Sequence, residues 1–420
     1  MKPYAEYKPS GIPWHQGQIP KHWEPKRVKH VASMRSGEGV TSDDIEETGN
    51  YPVYGGNGIR GYAEQATHNG EFVLIGRQGA LCGNVHYVQG EFWASEHAVV
   101  SEMYAGDKAR WAAYILEYMN LGQYSMAAAQ PGLAVDKIQQ LRFPVPPPNE
   151  QHAIAAYLDT ETARIDTLIR EKEGLIGLLR EWRGAVISEL TSGLNFPGSK
   201  TYTGNVHMPH VPSEWSMVRL GKYAKIGNGS TPLKDNASYW QGGTFPWLNS
   251  AVVNLDEVTE GSEFVTEIAL QACHLPIVEA GALLVALTGQ GKTRGQVTML
   301  RITATINQHL AFIASDPEAF DSGYLHWTLT GLYGALRMVS DGQGGTKGAL
   351  TCEDLSRFQV PKPPIDVQKQ IALRLADETA NINKLVAHTL TEIDLLQELR
   401  AATIADAVLG RIDVRTETQP

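Results

Sequence analysis

The feature that most constrains this 420-residue sequence is that it is written twice. IPKHWEPKRVKHVASMRSG, from Ile19, resembles VPSEWSMVRLGKYAKIGNG, from Val211, with Trp23 on Trp215 at an offset of 192 residues. Gln78, Gly79, Gly83 and Val85 then match Gln290, Gly291, Gly295 and Val297 at an offset of 212. The same offset sets Ser95-Glu96-His97 on Asn307-Gln308-His309. PPPNEQHAIAAYLD closes the series on KPPIDVQKQIALRLAD, with Gln151 on Gln368, Ile154 on Ile371 and Leu158 on Leu375 at an offset of 217. The order is kept while the offset grows by 25 residues, mostly early in the repeat. Two diverged copies of one module, the second longer, account for this. A solenoid would need a period of about 20 to 50 residues.

Each copy follows one plan. A variable region rich in Gly and aromatic residues comes first, YPVYGGNGIRGY in copy one and GSTPLKDNASYWQGGTFPWLN in copy two. Short apolar runs bounded by glycines, Phe72–Ile75 and Leu283–Leu287, predict strands. A proline cluster (Pro144, Pro146, Pro147 and Pro148; Pro361, Pro363 and Pro364) then ends the globular part, because proline lacks the amide donor and disfavours helix in the residue before it. Beyond each cluster lies a proline-free stretch with helical spacing. Ile154, Leu158, Ile165, Ile169, Ile176, Leu179, Val186 and Leu190 form one stripe; Ile371, Leu375, Ile382, Val386, Ile393, Leu396 and Ile404 form the other. Such stretches of roughly 35 to 40 residues span about 50 to 60 Å and predict coiled-coil helices. Lys172 and Arg183 interrupt the first stripe, and Ser192-Gly193 and Gly410 are suitable helix stops.

Composition excludes some classes of function. Cys82, Cys273 and Cys352 are far apart and lack CxxC or Cys/His pairing, which argues against a disulfide framework or a zinc site and fits a reducing cytoplasm. MKPYAEYKPSGIPW has no apolar core for a signal peptide, and the longest aliphatic run, Ala282–Leu287, is far too short to span a bilayer. The net charge of −10 counts against nucleic-acid binding, which relies on Lys and Arg neutralising phosphates. Charge is a sum, however, and Lys21, Lys26, Arg27 and Lys29 form a locally basic segment opposed only by Glu24.

Three fragments resemble catalytic motifs. Gly56-Asn57-Gly58-Ile59-Arg60-Gly61 matches GxGxxG, but only a short polar stretch separates it from the strand at Phe72, where a dinucleotide site needs a helix. Ala286–Thr293 nearly spells a phosphate-binding loop, yet its first glycine is Ala286, and copy one has Ala80 and Leu81 where Lys292 and Thr293 stand. A strand-to-strand turn explains both copies better. His97 and His309 are equivalent, but no nucleophile or carboxylate repeats with them, so both are read as structural. With no Asn/Asp-Pro-Pro-aromatic motif and no convergent acid, base, nucleophile or metal cluster, the chain is expected not to be an enzyme on its own.

A duplicated variable domain, a PPxxxQ-type proline boundary and a long helix after each copy resemble the specificity subunits of type I restriction–modification enzymes. The phrases that carry the resemblance are YPVYGGNGIRGY (51–62), TP…YWQGGTFPW (231–247), NQH (307–309) and PPPNEQHAIAAYLD (146–159), and it runs from about Tyr7 to Arg411. It implies a mixed α/β fold with two target-recognition domains, 1–150 and 211–367, joined by two long antiparallel spacer helices, 151–192 and 368–410, in a pseudo-twofold arrangement. Residues 193–210 would be a linker and 411–420 a tail. Each domain would read one half of a bipartite duplex DNA target, with half-sites about one helical turn, 34 to 36 Å, apart. The resemblance further implies methyltransferase subunits, usually two, docked on the scaffold, and a translocase/endonuclease subunit. By the same resemblance, S-adenosylmethionine, ATP and Mg would be expected on those partners, with no cofactor on this chain. Copy two departs from the pattern at Val367, which stands where copy one has Glu150, and in Asp377, one position late relative to Asp159.

Base edges are read by Arg or Lys on guanine and by Asn or Gln on adenine. On that chemistry and their loop positions, Asn57, Arg60, Arg77 and Gln78 are the DNA-binding candidates in copy one. Lys234, Asn249, Gln290, Lys292 and Arg294 are those in copy two. Tyr54 and Trp247 are aromatic candidates for stacking, against the alternative of burial. Two other readings compete: a specificity subunit of a related system outside type I, and a tandem-domain scaffold that binds proteins and not DNA.

Overall fold

A computed structural model describes residues 2–79, 81–104, 106–125, 132–289, 291–341 and 348–416. It divides into two units, Met1–Glu173 with Leu390–Pro420, and Gly174–Thr389. Two helices, Pro148–Ser192 and Ile365–Val408, each contribute to both units. Both begin three residues before the expected starts. In the first, Pro148 occupies the first turn, where its missing N–H costs nothing, and the Pro147 carbonyl accepts from Glu150 N and Gln151 N at 2.9 and 3.0 Å.

In the first unit a six-stranded sheet runs in the order Ala32–Ser36, Ala98–Met103, His68–Gly76, Val85–Ala94, Tyr51–Gly55, Gly58–Ala63. The helix Ala109–Tyr118 packs on this sheet with Trp111, Ile115 and Leu116 buried. The second unit repeats the frame: Ala224–Asn228, Leu310–Ser315, Leu283–Ala286 and Val297–Leu300 follow the same order. The helix Ser322–Gly331 corresponds to Ala109–Tyr118. The sheets differ past the fourth strand. Copy one adds the hairpin 51–63, whereas copy two adds the strand Glu257–Val258 and a separate sheet of Glu263–Val265, Phe245–Leu248 and Thr305–Ile306.

The ends of the apolar stripes of the long helices enter the two cores, while mid-stripe residues such as Ile165, Ile176, Ile382 and Ile393 are buried outside them. Ile154, Leu158, Ile404 and Val408 join Trp23, Trp111 and Phe143 in the first unit; Ile187, Leu190, Ile371 and Leu375 join Trp215, Phe320 and Tyr324 in the second. Each large side chain so buried contributes about 1.5–3 kcal/mol. In the first unit the helix segments run antiparallel, with Asp166 on Arg400 at 2.9 Å and Lys172 on Glu392 at 2.7 Å. Lys172 therefore leaves the seam to form an ion pair, while Arg183 turns toward Trp327 and Asp256 of the second unit.

Two repeated devices fix the helix ends. Gln151 and Gln368 are fully buried at equivalent positions. The Gln151 amide oxygen accepts from Lys108 N at 2.8 Å and its nitrogen donates to the Pro146 carbonyl at 3.0 Å. Gln368 accepts from Asp321 N at 2.9 Å and donates to the Pro363 and Ala319 carbonyls at 2.9 and 3.0 Å. The glutamine of the proline boundary thus ties each long helix to the start of its domain helix, with both ends of the amide satisfied. At the far ends, Gly193 and Gly410 both adopt φ 68°, the left-handed conformation that favours glycine. An added Cβ would lie 2.5 Å from the Trp215 ring at Gly193 and 2.5 Å from Pro20 at Gly410.

The missing glutamate of copy two also has a structural counterpart. Glu150 is buried and accepts from His22 Nε2 at 2.7 Å, Trp23 Nε1 at 2.9 Å, Tyr4 OH at 3.1 Å and Arg415 Nη1 at 3.2 Å. It joins residues 4–23 to residue 415, segments that also meet through Asp413 N on the Lys2 carbonyl at 2.9 Å. In copy two the corresponding junction is the continuous chain from Gly193 to Pro212, folded as the strand pair Lys200–Asn205 and Met208–Pro212. A covalent connection needs no such pin, and Val367 suffices there.

Candidate nucleic-acid interface

Copy one gathers its candidates at one end of the six-stranded sheet. The turn between Tyr51–Gly55 and Gly58–Ala63, the loop after His68–Gly76 and the turn at 95–97 converge there because Gly56 and Gly76 have no side chains to separate them. A Cβ on Gly76 would lie 2.1 Å from the Gly56 carbonyl oxygen. Asn57 is exposed at the tip, and its side-chain oxygen accepts from Asn84 Nδ2 at 2.6 Å. Gln78 is exposed, with its amide oxygen 3.2 Å from His97 Nδ1. Arg60 is exposed on the hairpin and forms no ion pair among the described residues. Arg77 is half-buried and donates to Ser36 Oγ at 2.9 Å, while its carbonyl accepts from Leu133 N at 2.9 Å. Tyr54 packs edge-on against Phe92 with ring centroids 5.7 Å apart, and burial raises its hydroxyl pKa, so it acts as a wall of a small core.

Copy two distributes its candidates differently. Lys234 sits over the Trp240 and Trp247 rings, 3.8 and 4.7 Å from their centroids, and pairs with Glu263 at 2.5 Å. Asn249 caps the short helix Ser250–Asn254 by accepting from Ala251 N at 2.9 Å, and it donates to Glu263 at 3.3 Å. Trp247 is only 3% exposed, with its indole N–H donating to the Ser230 carbonyl at 3.0 Å. Arg294 is 4% exposed and donates to the Gly348 carbonyl at 2.6 Å. The expectation that Trp247 and Arg294 face a groove is corrected on this count: both side chains are inside the unit and present no free surface. Lys292 is exposed, its backbone carbonyl held by Tyr333 OH at 2.8 Å. Gln290 lies outside the described residues.

Some members of these clusters escaped the sequence reading. Asn84 and Ser36 hold Asn57 and Arg77, and Glu263 bridges Lys234 and Asn249. The repeat did flag His97 and His309. They hold neighbouring loops, His97 through Gln78 and Glu96, and His309 through Thr288 at 3.1 Å. The fragment Gly56–Gly61 forms a hairpin turn and strand, not the start of a helix, and Ala286 and Val297 end and begin antiparallel neighbouring strands. Among the described residues, no group of three His, Cys, Asp or Glu is placed to hold a metal ion. Among the same residues, no helix is long and apolar enough to cross a membrane. Chemically, the exposed amides and cations supply hydrogen-bond donors and acceptors for base edges and phosphates.

Comparison with known proteins settles the family. The model of the type I restriction modification DNA specificity domain matches residues 20–175 and again 212–395. The chain belongs to this family. It carries the specificity domain twice, which is the duplication read from the offsets. The specificity subunit of the type I restriction enzyme EcoprrI from Escherichia coli is 48% identical over 147 residues, which is 34% of this chain and 36% of that protein. A putative specificity subunit from Haemophilus influenzae is 32% identical over 145 residues, 34% of this chain and 37% of that protein. The chain thus spans little more than a third of either of these relatives. A putative type I restriction enzyme MjaX specificity subunit from Methanocaldococcus jannaschii is 22% identical across 95% of this chain and 96% of its own length. The fold is that of solved specificity subunits. A chain from the structural study of complex assembly and conformational transition of the type I R-M system superposes with TM-score 0.72 at 15% identity, covering 94% of this chain and 99% of that one. The HsdS subunit from Thermoanaerobacter tengcongensis gives 0.53 at 16% identity, covering 94% and 98%.

Proposed function

We propose that this chain is the DNA-reading subunit of a cytoplasmic type I restriction–modification complex, with each specificity domain reading one half of a bipartite duplex target. The observation that carries the reading is the doubled specificity domain, built on one strand frame with different elements appended to it. A shared frame with differing appendages suits two readers of two different half-sites. The exposed Asn57, Arg60 and Gln78 of copy one and Lys292 of copy two supply the chemistry of base and phosphate contacts.

Chemistry in this reading belongs to partner subunits: methyltransferases that bring S-adenosylmethionine, and a translocase/endonuclease that brings ATP and Mg. The outer faces of the long helices suit docking of two methyltransferase subunits. Leu178 and Trp182 are 65% and 52% exposed in the second unit, and Leu395 and Leu399 are 58% and 47% exposed in the first. Apolar side chains exposed at this spacing on a helix mark a surface awaiting a partner. Duplex binding measured with the methyltransferase present tests the reading. Sequence-specific affinity that falls steeply with salt is expected; binding indifferent to salt and sequence would favour the protein-binding scaffold.

A further inference from the structure

The two units answer the same arginine differently, and the difference exposes a second site. In the first unit Arg400 lies between two carboxylates, Asp166 at 2.9 Å and Glu117 at 3.1 Å. At the offset of 217, Arg183 is its counterpart in the second unit. Both acids are gone there: Asn383 stands for Asp166, and Thr330 stands for Glu117 on the domain helix. The nearest acid to Arg183 is the exposed Asp256, at 3.5 Å.

Arg183 lines a cavity of about 630 Å³ within the second unit, together with Arg180, Lys292, Gln296 and His326. The copy-one counterparts of the added cations are Gln397 and Ala80, and that of His326 is Ala113, so the charge is particular to copy two. Among the described residues Arg180 and Lys292 form no ion pair, and two buried polar atoms, Arg183 Nε and Gln296 Oε1, have no hydrogen-bond partner. His326 is 7% exposed, and burial holds its ring below the ordinary histidine range, so it faces the cavity as a neutral imidazole. Tyr333 OH and Arg337 hold the loop that carries Lys292, through its carbonyl at 2.8 Å and that of Gly291 at 2.6 Å.

Three cations against one carboxylate leave an excess suited to a phosphate, and a planar guanidinium is the usual donor to it. A cavity of this volume is in the range that encloses small organic ligands. We propose that it binds a phosphate-bearing small molecule of about mononucleotide size. The site belongs to copy two alone and shares only Lys292 with the proposed DNA contacts.

Adenosine monophosphate serves as the probe. Calorimetric titration into the full chain is expected to saturate with a Kd of about 1 mM or tighter, with inorganic phosphate competing and adenosine failing to bind. Thr330→Glu, which restores the carboxylate that Glu117 supplies in the first unit, should weaken binding roughly tenfold or more by neutralising Arg183. Its position at the cavity edge should leave the urea midpoint unchanged, and Arg183→Gln should match it in binding. Absence of saturation by adenosine monophosphate and by inorganic phosphate overturns the proposal, as does equal affinity in the parent and Thr330→Glu chains. Displacement of the nucleotide by a DNA duplex that persists in Lys292→Ala, where the one shared contact is gone, would assign the phosphate to nucleic acid and also overturn it.

Discussion

The two specificity domains share four strands in one order and a ten-residue helix behind them, yet they part company where the candidate DNA contacts lie. Copy one ends in a hairpin whose tip carries Asn57 and Arg60. Copy two replaces it with a three-stranded sheet whose Trp247 and Glu263 hold Lys234 and Trp240 from the preceding loop and short helix. What repeats is what fixes the frame: Gln151 with Gln368, Gly193 with Gly410, Trp23 with Trp215. What differs is the surface offered to a ligand. The lesson is that structural duty and recognition duty can be sorted by asking which contacts occur twice.

That sorting breaks or sharpens under substitution. The largest effect is expected for Glu150→Leu, which leaves Arg415, His22, Trp23 and Tyr4 facing an apolar side chain. About 3 kcal/mol or more of stability should disappear in urea unfolding, whereas Val367→Leu in copy two should cost under about 1.5 kcal/mol. Next come Gln151→Leu and Gln368→Leu. Each strands a buried backbone carbonyl and a partly buried N–H, and the two should cost similar amounts, about 2–3 kcal/mol; a large inequality would show that the repeated contact does not do the same job twice. Gly193→Ala and Gly410→Ala force a Cβ into the left-handed region and against a ring, at about 2 kcal/mol each. The smallest effect is the pH dependence that Asp413 contributes in the first unit. The hydrogen bond from Arg415 lowers the Asp413 pKa. Its stabilising contribution is therefore present above the unfolded carboxylate value and is lost as pH falls through the lower folded value. The stability gap between the parent chain and Asp413→Asn should accordingly be constant near neutrality and shrink below roughly pH 4.

Much of the frame was legible in the sequence because it obeys local rules. The stripes from Ile154 to Leu190 and from Ile371 to Ile404 have helical period, and the members near their ends, such as Ile154, Leu158, Ile371 and Leu375, line the two cores. The strands at Phe72–Ile75 and Leu283–Leu287 follow from short apolar runs between glycines. The sites were less legible, since their partners are distant in sequence. Nothing near Arg294 announces that Gly348 will bury it, and nothing near Lys234 announces Glu263. The Glu150 cluster joins residues as far apart as Tyr4 and Arg415, a proximity that only the closed fold creates. Arg183 breaks a stripe in the sequence, but its lost counter-charges appear only when Thr330 and Asn383 are set against Glu117 and Asp166.

The central claim is two readers on one chain. Methylation profiling of DNA exposed to this protein with its cognate methyltransferase tests it most directly. The account predicts a split motif, two short defined halves with a fixed gap, and relaxation of one half only when Arg60 or Arg77 is replaced by alanine. A single continuous motif, or methylation that proceeds equally well without this chain, would contradict it.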